Sequence, residues 1–163
     1  EDYSFLYPLP YWTLIQNMAQ ANALDPWVVA SLIRQESAFD PAAVSSAGAR
    51  GLMQVMPSTG SAWASDMGLR DFRPQDLDDP AISIRYGCRE IASYVTKFPA
   101  DLRGLTLALS SYNAGLNAAG KWDQSLPADV DEFIENIPYH ETRSYVKQVL
   151  RNYEVYKLLL AAR

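Results

Sequence analysis

The stretch Pro26-Trp27-Val28-Val29-Ala30-Ser31-Leu32-Ile33-Arg34-Gln35-Glu36-Ser37-Ala38-Phe39 decides how the rest of the chain is read. Asp25 stands before it, so an N-cap residue is followed by proline at the first helical position. Asp40-Pro41 follows it, and the residue before a proline is pushed out of helical geometry. Between these marks Val29, Leu32, Ile33 and Glu36 recur at helical spacing. The spacing predicts a helix over 26–39 with a carboxylate where the period calls for a core residue. Two explanations of Glu36 stand open on this pattern. A buried glutamate loses hydration, its pKa rises, and it can donate a proton as a general acid near neutral pH. Alternatively it is a salt-bridged glutamate, paired with Arg34 or with an arginine from elsewhere.

Helical patterning extends in both directions from this stretch. Upstream, Leu14, Ile15, Met18 and Ala21 form an apolar stripe on a helix predicted over 12–23. Downstream, residues 42–57 have small side chains, two glycines and no helical period, which predicts a long ordered loop with a short β-turn. A helix is expected over 58–67, capped by Ser58, then a charged loop over 68–79. Asp79-Pro80 repeats the cap-and-proline signal and opens a helix to about Phe98. Asp101 starts another through Leu105, Leu109 and Tyr112, ended by Gly115. A short helix over 116–122, a polar loop over 123–130 and a brief helix over 131–136 follow. The last helix, about 141–161, carries Val146, Val149, Leu150, Tyr153, Tyr156 and Leu160 on one face.

No run alternates cleanly, so no sizeable sheet is expected, and no repeat of 20 to 50 residues is visible. The expectation is one all-α domain over residues 1–163, with 1–11 as a lead-in. The opening Glu1-Asp2-Tyr3 looks like a cut inside a longer precursor, with this chain its C-terminal part.

Composition narrows the function. Nearly half the residues are apolar, enough for a packed core. No apolar run is long enough to span a membrane. The net charge of −5 and the lack of a basic face argue against a nucleic-acid partner. Arg143, Lys147 and Arg151, four apart, read as a solvated stripe. Cys88 is the single cysteine and His140 the single histidine, so neither a disulfide nor a zinc site is expected. Cys88 reads as a buried small hydrophobe and His140 as a surface residue. No cofactor is called for.

Ordinary glycosidases use two carboxyl groups, about 5–5.5 Å or roughly 6.5–9.5 Å apart according to mechanism. Asp40 is the nearest second candidate, but it precedes a proline and is expected to bond local amides in the turn. Gly48-Ala49-Arg50-Gly51-Leu52-Met53-Gln54-Val55-Met56-Pro57 offers glycines for close backbone approach and the Gln54 amide for a sugar. It has no Walker lysine and no preceding strand, so it is not a phosphate loop. Tyr112-Asn113-Ala114-Gly115 reads, by itself, as a helix C-cap.

Taken together and in order, these segments resemble the lytic transglycosylase family of the soluble periplasmic type, over roughly Trp12 to Tyr156. Arg34-Gln35-Glu36-Ser37-Ala38-Phe39 resembles the family's Glu-Ser motif. Gly48 to Pro57 is similar to its Gly-Leu-Met-Gln motif, and Ser111 to Gly115 to its Tyr-Asn-Ala-Gly. Glu135-Asn136-Ile137-Pro138-Tyr139 leads to Glu141-Thr142-Arg143 and Tyr145-Val146, a further signature.

The resemblance implies a lysozyme-like (goose-type) helical fold around a glycan cleft. It implies periplasmic cleavage of the β-1,4 bond between N-acetylmuramic acid and N-acetylglucosamine in peptidoglycan strands and muropeptides, leaving a 1,6-anhydromuramoyl end. Glu36 would act as acid and then as base. Gln54, Met56 and Tyr112 would line the sugar site, Ser45 and Asn113 would add polar contacts, and Glu141 would be a second family acid near the bound muropeptide. Glu141 also reads as a first-turn charge favouring the helix dipole. Ser37 is expected to support Glu36 through the helix end, and Met53 to be core. Cell-wall-synthesis proteins are compatible partners. The rival functions are a muramidase-type hydrolase using water, and a non-catalytic glycan-binding module.

Overall fold

Four aspartates begin four helices, each by accepting hydrogen bonds from the first free amides. The computed structural model describes residues 5–160. The proposed cut at Glu1-Asp2-Tyr3 and the last predicted helical residue, Ala161, lie outside these. Helix α1 spans Trp12–Ala21 and α2 spans Pro26–Ser37. Asp25 accepts from Trp27 N at 2.8 Å and caps α2. Asp79 accepts from Ala81 N and Ile82 N at the start of α4, which runs Pro80–Val95 after α3, Pro57–Ala64. Asp101 does the same for α5, Leu102–Ala114, through Gly104 N at 2.8 Å. After α6, Leu116–Ser125, Asp129 caps α7, Val130–Asn136. The last helix, α8, is His140–Leu160. Each such cap contributes about 1 kcal/mol, and the prolines at first positions in α2 and α4 add no backbone cost.

The all-α expectation holds: the described residues contain helices and two isolated bridges, Val44 to Arg50 and Arg50 to Val55, but no extended strand. Several boundaries differ. The expected Ser58 cap is not formed. Met56 is the N-cap, without a side-chain bond, and Pro57 takes the first helical position, so Ser58 is already inside α3. The charged loop over 68–79 contains a 3-10 helix at Pro74–Asp78, held where Asp76 accepts from Arg73 N at 2.8 Å. Helix α1 stops at Ala21, α4 stops at Val95, and α6 continues to Ser125. Thr96, just past α4, turns its hydroxyl back onto the Ala92 carbonyl at 3.2 Å.

Helix α2 is the structural axis. Val28 through Ile33 are all buried, on every side of the helix rather than on one stripe, because α1 and α8 both pack against it. The buried Ser31 hydroxyl is satisfied internally by donating to Trp27 O at 2.7 Å. Helix α5 is also surrounded, and Thr106, Ser110 and Ser111 each donate one turn back, all at 2.8 Å. Helix α8 presents Tyr145, Val146, Val149 and Tyr156 to the interior, close to the face expected. The lead-in joins this core through Tyr7, whose ring lies edge-on to Tyr156 at 5.3 Å. Arg34 stacks over that same Tyr7 ring at 4.0 Å.

The long loop between α2 and α3 is pinned on both sides. Ala38, Phe39 and Gln54 adopt left-handed backbone, and Phe39 folds back into the core. Leu52, Met53 and Val55 are buried. Arg50 grips Asp78 with two bonds, 3.0 and 2.6 Å. Met53 is core, as expected, with its amide donating to Ser83 Oγ at 3.2 Å.

Candidate active site

Glu36 is the penultimate residue of α2, and the adjoining Ser37 ties that end down. The Ser37 hydroxyl bridges Ile33 O at 3.1 Å and Leu52 O at 2.9 Å, joining the helix to the loop that follows. The Glu36 side chain is half-buried, and it lines a cleft of about 470 Å³ together with Gln35, Asn113, His140, Glu141 and Tyr145. Helix α2, the end of α5 and the start of α8 therefore form its walls.

Tyr145 Oη donates to Glu36 Oε1 at 2.6 Å. Among the described residues Glu36 has no cationic partner within 4 Å, and Arg34 is engaged elsewhere. The salt-bridged alternative is thus not what the structure holds. Burial pushes the Glu36 carboxyl up to about 7. The Tyr145 hydroxyl works against this, and the charges of Glu90 and Glu141 add to it. A carboxyl poised there can hold its proton at neutral pH and release it within a catalytic cycle.

The structure brings Asn113 and Glu141 into the same cleft as Glu36. Asn113 Oδ1 accepts from Thr142 Oγ1 at 2.7 Å, which leaves the amide NH2 to donate into the cleft. Glu141 is exposed in the first turn of α8, so it also meets the helix-dipole reading. His140 is exposed, as expected, but stands at the cleft wall.

Ser45, Gln54, Met56 and Tyr112 are not among the residues lining this cleft; they belong to the long loop or contact it. Ser45 Oγ accepts from Ala49 N at 3.0 Å. Gln54 Nε2 donates to Ala43 O and Gly51 O, both at 3.0 Å. Both amide hydrogens are thereby committed, leaving the Gln54 carbonyl oxygen as its free polar atom. Met56 is 39% exposed at the start of α3. Tyr112 Oη donates to Met53 O at 2.7 Å, and its phenol lies in the field of both Glu36 and Glu90.

Asp40 is exposed and accepts from Ala42 N at 2.9 Å, the local turn bond expected of it. It is therefore a turn-maker. Cys88 is fully buried, and burial pushes its thiol up to about 12. The basic trio is only partly a solvated stripe. Lys147 pairs with Glu135 at 2.6 Å, and Arg143 donates to the Glu135 carbonyl at 2.9 Å, so both clasp α7 to α8. Arg151 is exposed.

Two groups of this neighbourhood were not picked out as site residues from the sequence. Tyr145 lies 109 positions from Glu36, and its place in the Tyr145-Val146 signature is the hint that the sequence carries. Glu90 lies mid-helix in α4 among apolar neighbours, the same irregularity that drew attention to Glu36.

Among the described residues no cluster of three or more metal-ligating side chains occurs, and no helix is long and apolar enough to cross a membrane.

Comparison with known proteins bears on this geometry. The family described as the transglycosylase SLT domain matches residues 13–131. A second, the soluble lytic transglycosylase helical domain, matches residues 136–162. The chain is 32% identical over 153 residues to the soluble lytic murein transglycosylase of Salmonella typhimurium, covering 92% of this chain and 23% of that protein. Among solved structures, an inactive mutant of the lytic transglycosylase Slt from Pseudomonas aeruginosa superposes with a TM-score of 0.87 at 31% identity. That match covers 99% of this chain and 26% of the other. The 70 kDa soluble lytic transglycosylase of Escherichia coli gives 0.86 at 28% identity, covering 96% and 25%. The chain thus spans about a quarter of the length of these relatives. The lysozyme-like helical fold expected from the sequence is met in them. On the extent of the first family match, this chain belongs to the SLT transglycosylase domain family.

Proposed function

We propose that this domain is a peptidoglycan lytic transglycosylase that cuts the β-1,4 bond between N-acetylmuramic acid and N-acetylglucosamine and closes a 1,6-anhydro ring on the muramoyl side. The observation that carries this is Glu36: a half-buried carboxyl in a cleft, without a cation, pushed up to about 7 and held by Tyr145. The names of the relatives, which are lytic transglycosylases acting on murein, supply the reaction class.

Glu36 gives its proton to the glycosidic oxygen as the bond from that oxygen to the muramoyl C1 breaks. The substrate's own acetamide stabilises the positive charge developing at C1. The Glu36 carboxylate then takes the proton of the muramoyl 6-hydroxyl, whose oxygen bonds to C1. One C–O bond is broken and one is made, the acid is restored, and no water is consumed. An attacking hydroxyl on the same sugar has a high effective molarity and outcompetes solvent.

Asn113 NH2 and Glu141 meet the strand from the cleft walls. Ser45, the Gln54 carbonyl, Met56 and Tyr112 meet it along the loop. Asp40 is held in its turn and is not assigned to activate water. The site of action is the periplasm, where soluble enzymes meet murein strands and muropeptides.

Product chemistry tests the proposal. Sacculi digested with the chain should release fragments lighter by one water than hydrolytic muropeptides, and inert to borohydride at the muramoyl end. Reducing muramoyl ends would make it a muramidase, and binding without release of fragments would make it a glycan-binding module.

A further inference from the structure

Thr142 is a buried hydroxyl residue in the first turn of α8, 2% exposed. Ser31, Thr106, Ser110 and Ser111, also buried, each donate one turn back along their own helix. Thr142 does not. Its hydroxyl reaches across to α5 and donates to Asn113 Oδ1 at 2.7 Å, 29 positions away, and this is its one hydrogen bond among the described residues.

Asn113 stands in the last turn of α5 and lines the cleft with Glu36. A primary amide can face a cleft with either end. Here the direction is set. Were the amide turned over, its NH2 would donate to Thr142, and the buried Thr142 hydrogen would be left without an acceptor among the described residues, which is costly. The carbonyl end therefore faces Thr142. Gln35, His140, Ser144 and Gln148 also line the cleft, and their side chains make no hydrogen bond within the described residues. Each can turn to suit a donor or an acceptor. Asn113 is thus the cleft amide whose direction is fixed by a protein partner.

We propose that Thr142 is a positioning residue for substrate recognition: by holding the Asn113 carbonyl, it keeps the amide NH2 turned to the cleft, where that group takes a carbonyl oxygen of the glycan strand. This rests on the reading of Asn113 as a substrate contact. A sugar hydroxyl both donates and accepts, so either end of the amide would serve it. A fixed NH2 discriminates only for a group that accepts and cannot donate. The amide carbonyls of the strand are such groups, on the acetamido substituents of its sugars and on its stem peptides.

The test is steady-state cleavage of solubilised glycan strands by Thr142→Val, which keeps the shape and removes the hydroxyl. KM should rise roughly 3–10-fold, the worth of one neutral hydrogen bond, with kcat changed less than about twofold. Thr142→Ser should restore KM. In an Asn113→Ala background the valine should add nothing further to KM. Strands stripped of their stem peptides place the carbonyl: the KM increase persists if it belongs to a sugar acetamide and vanishes if it belongs to the peptide. A folded Thr142→Val chain with unchanged KM overturns the proposal even if its Tm falls, because the bond is then only a clasp between α5 and α8. An undiminished KM increase in the Asn113→Ala background overturns it too. If the valine variant does not fold, Thr142→Ala, which leaves room for a water, is read by the same measures. Unchanged KM in Asn113→Ala alone would instead sink the reading of Asn113 as a substrate contact, a separate outcome seen in a separate variant.

Discussion

Glu36→Gln should lower the rate of peptidoglycan cleavage by about 10²–10⁴-fold, the usual worth of a positioned general acid, while the protein becomes more heat-stable at pH 8. Glutamine matches glutamate in size, and its carbonyl oxygen can still accept from Tyr145, so the wall of the cleft is kept. The stability gain follows from the direction of the shift. The folded carboxyl titrates at about 7 against an ordinary 4.5, so the native state binds more protons than the unfolded chain between those values. Stability then falls as pH rises through that window. Above it the unsubstituted protein buries a charge that the glutamine variant lacks. Allowing for the partial exposure and coupling of Glu36, the difference is on the order of 2 kcal/mol. That corresponds to a Tm higher by ~4–8 °C for a chain of this size. At pH 5 the two proteins should melt much closer together. Turbidity loss of sacculi and paired melts at pH 5 and 8 check both halves. A variant that stays active, or whose melting difference from the unsubstituted chain is the same at both pH values, would contradict the account.

Gly51→Ala should be strongly damaging for the addition of a single methyl. Gly51 has a φ of +76°, and a Cβ there would stand 1.9 Å from Leu77 O and 2.7 Å from Ser83 Oγ. The first of these is backbone in the 3-10 helix, so relief requires the long loop to leave α4. With it would go the Met53 amide to Ser83 bond, the Arg50 to Asp78 pair and the burial of Leu52 and Met53. A loss of about 3 kcal/mol or more is expected, seen as a fall in Tm of ~6–12 °C. Cleavage should fall as well, because Ser37 and Tyr112 both anchor to this loop through Leu52 O and Met53 O. Gly48→Ala is the control. Its φ is +87°, but nothing lies within 4 Å of a Cβ there, so only the backbone preference of about 1 kcal/mol is lost. Equal melting of the two variants would show that the close approach at Gly51 is not what holds the loop.

What could be read from the sequence was local chemistry. Asp25, Asp79 and Asp101 announce their helices because a cap bond needs only the next two or three amides. Glu36 stands out because a carboxylate in an apolar stripe violates a period visible within four residues. Ser58 misleads for an equally local reason: it is a good cap residue, but Pro57 before it suits the first helical position and moves the start back. The 3-10 helix at Pro74–Asp78 has too few residues to show a period. The complete burial of α2 was hidden because periodicity marks one face, whereas α1 and α8 cover the others.

Long-range pairings were not legible. That Tyr145 meets Glu36, and that Thr142 meets Asn113, depends on how α2, α5 and α8 pack. That Gln54 turns its amide into the loop depends on a left-handed backbone at Gln54 itself, which no composition rule assigns to glutamine.

The most direct test of the central claim is the titration of Glu36 in the unsubstituted chain, followed at its side-chain carboxyl carbon by NMR and assigned by the resonance that Glu36→Gln removes. A midpoint near 7 is the expected result. A midpoint at the ordinary value of 4.5 would mean that the group is already ionised when substrate arrives and is not the proton donor.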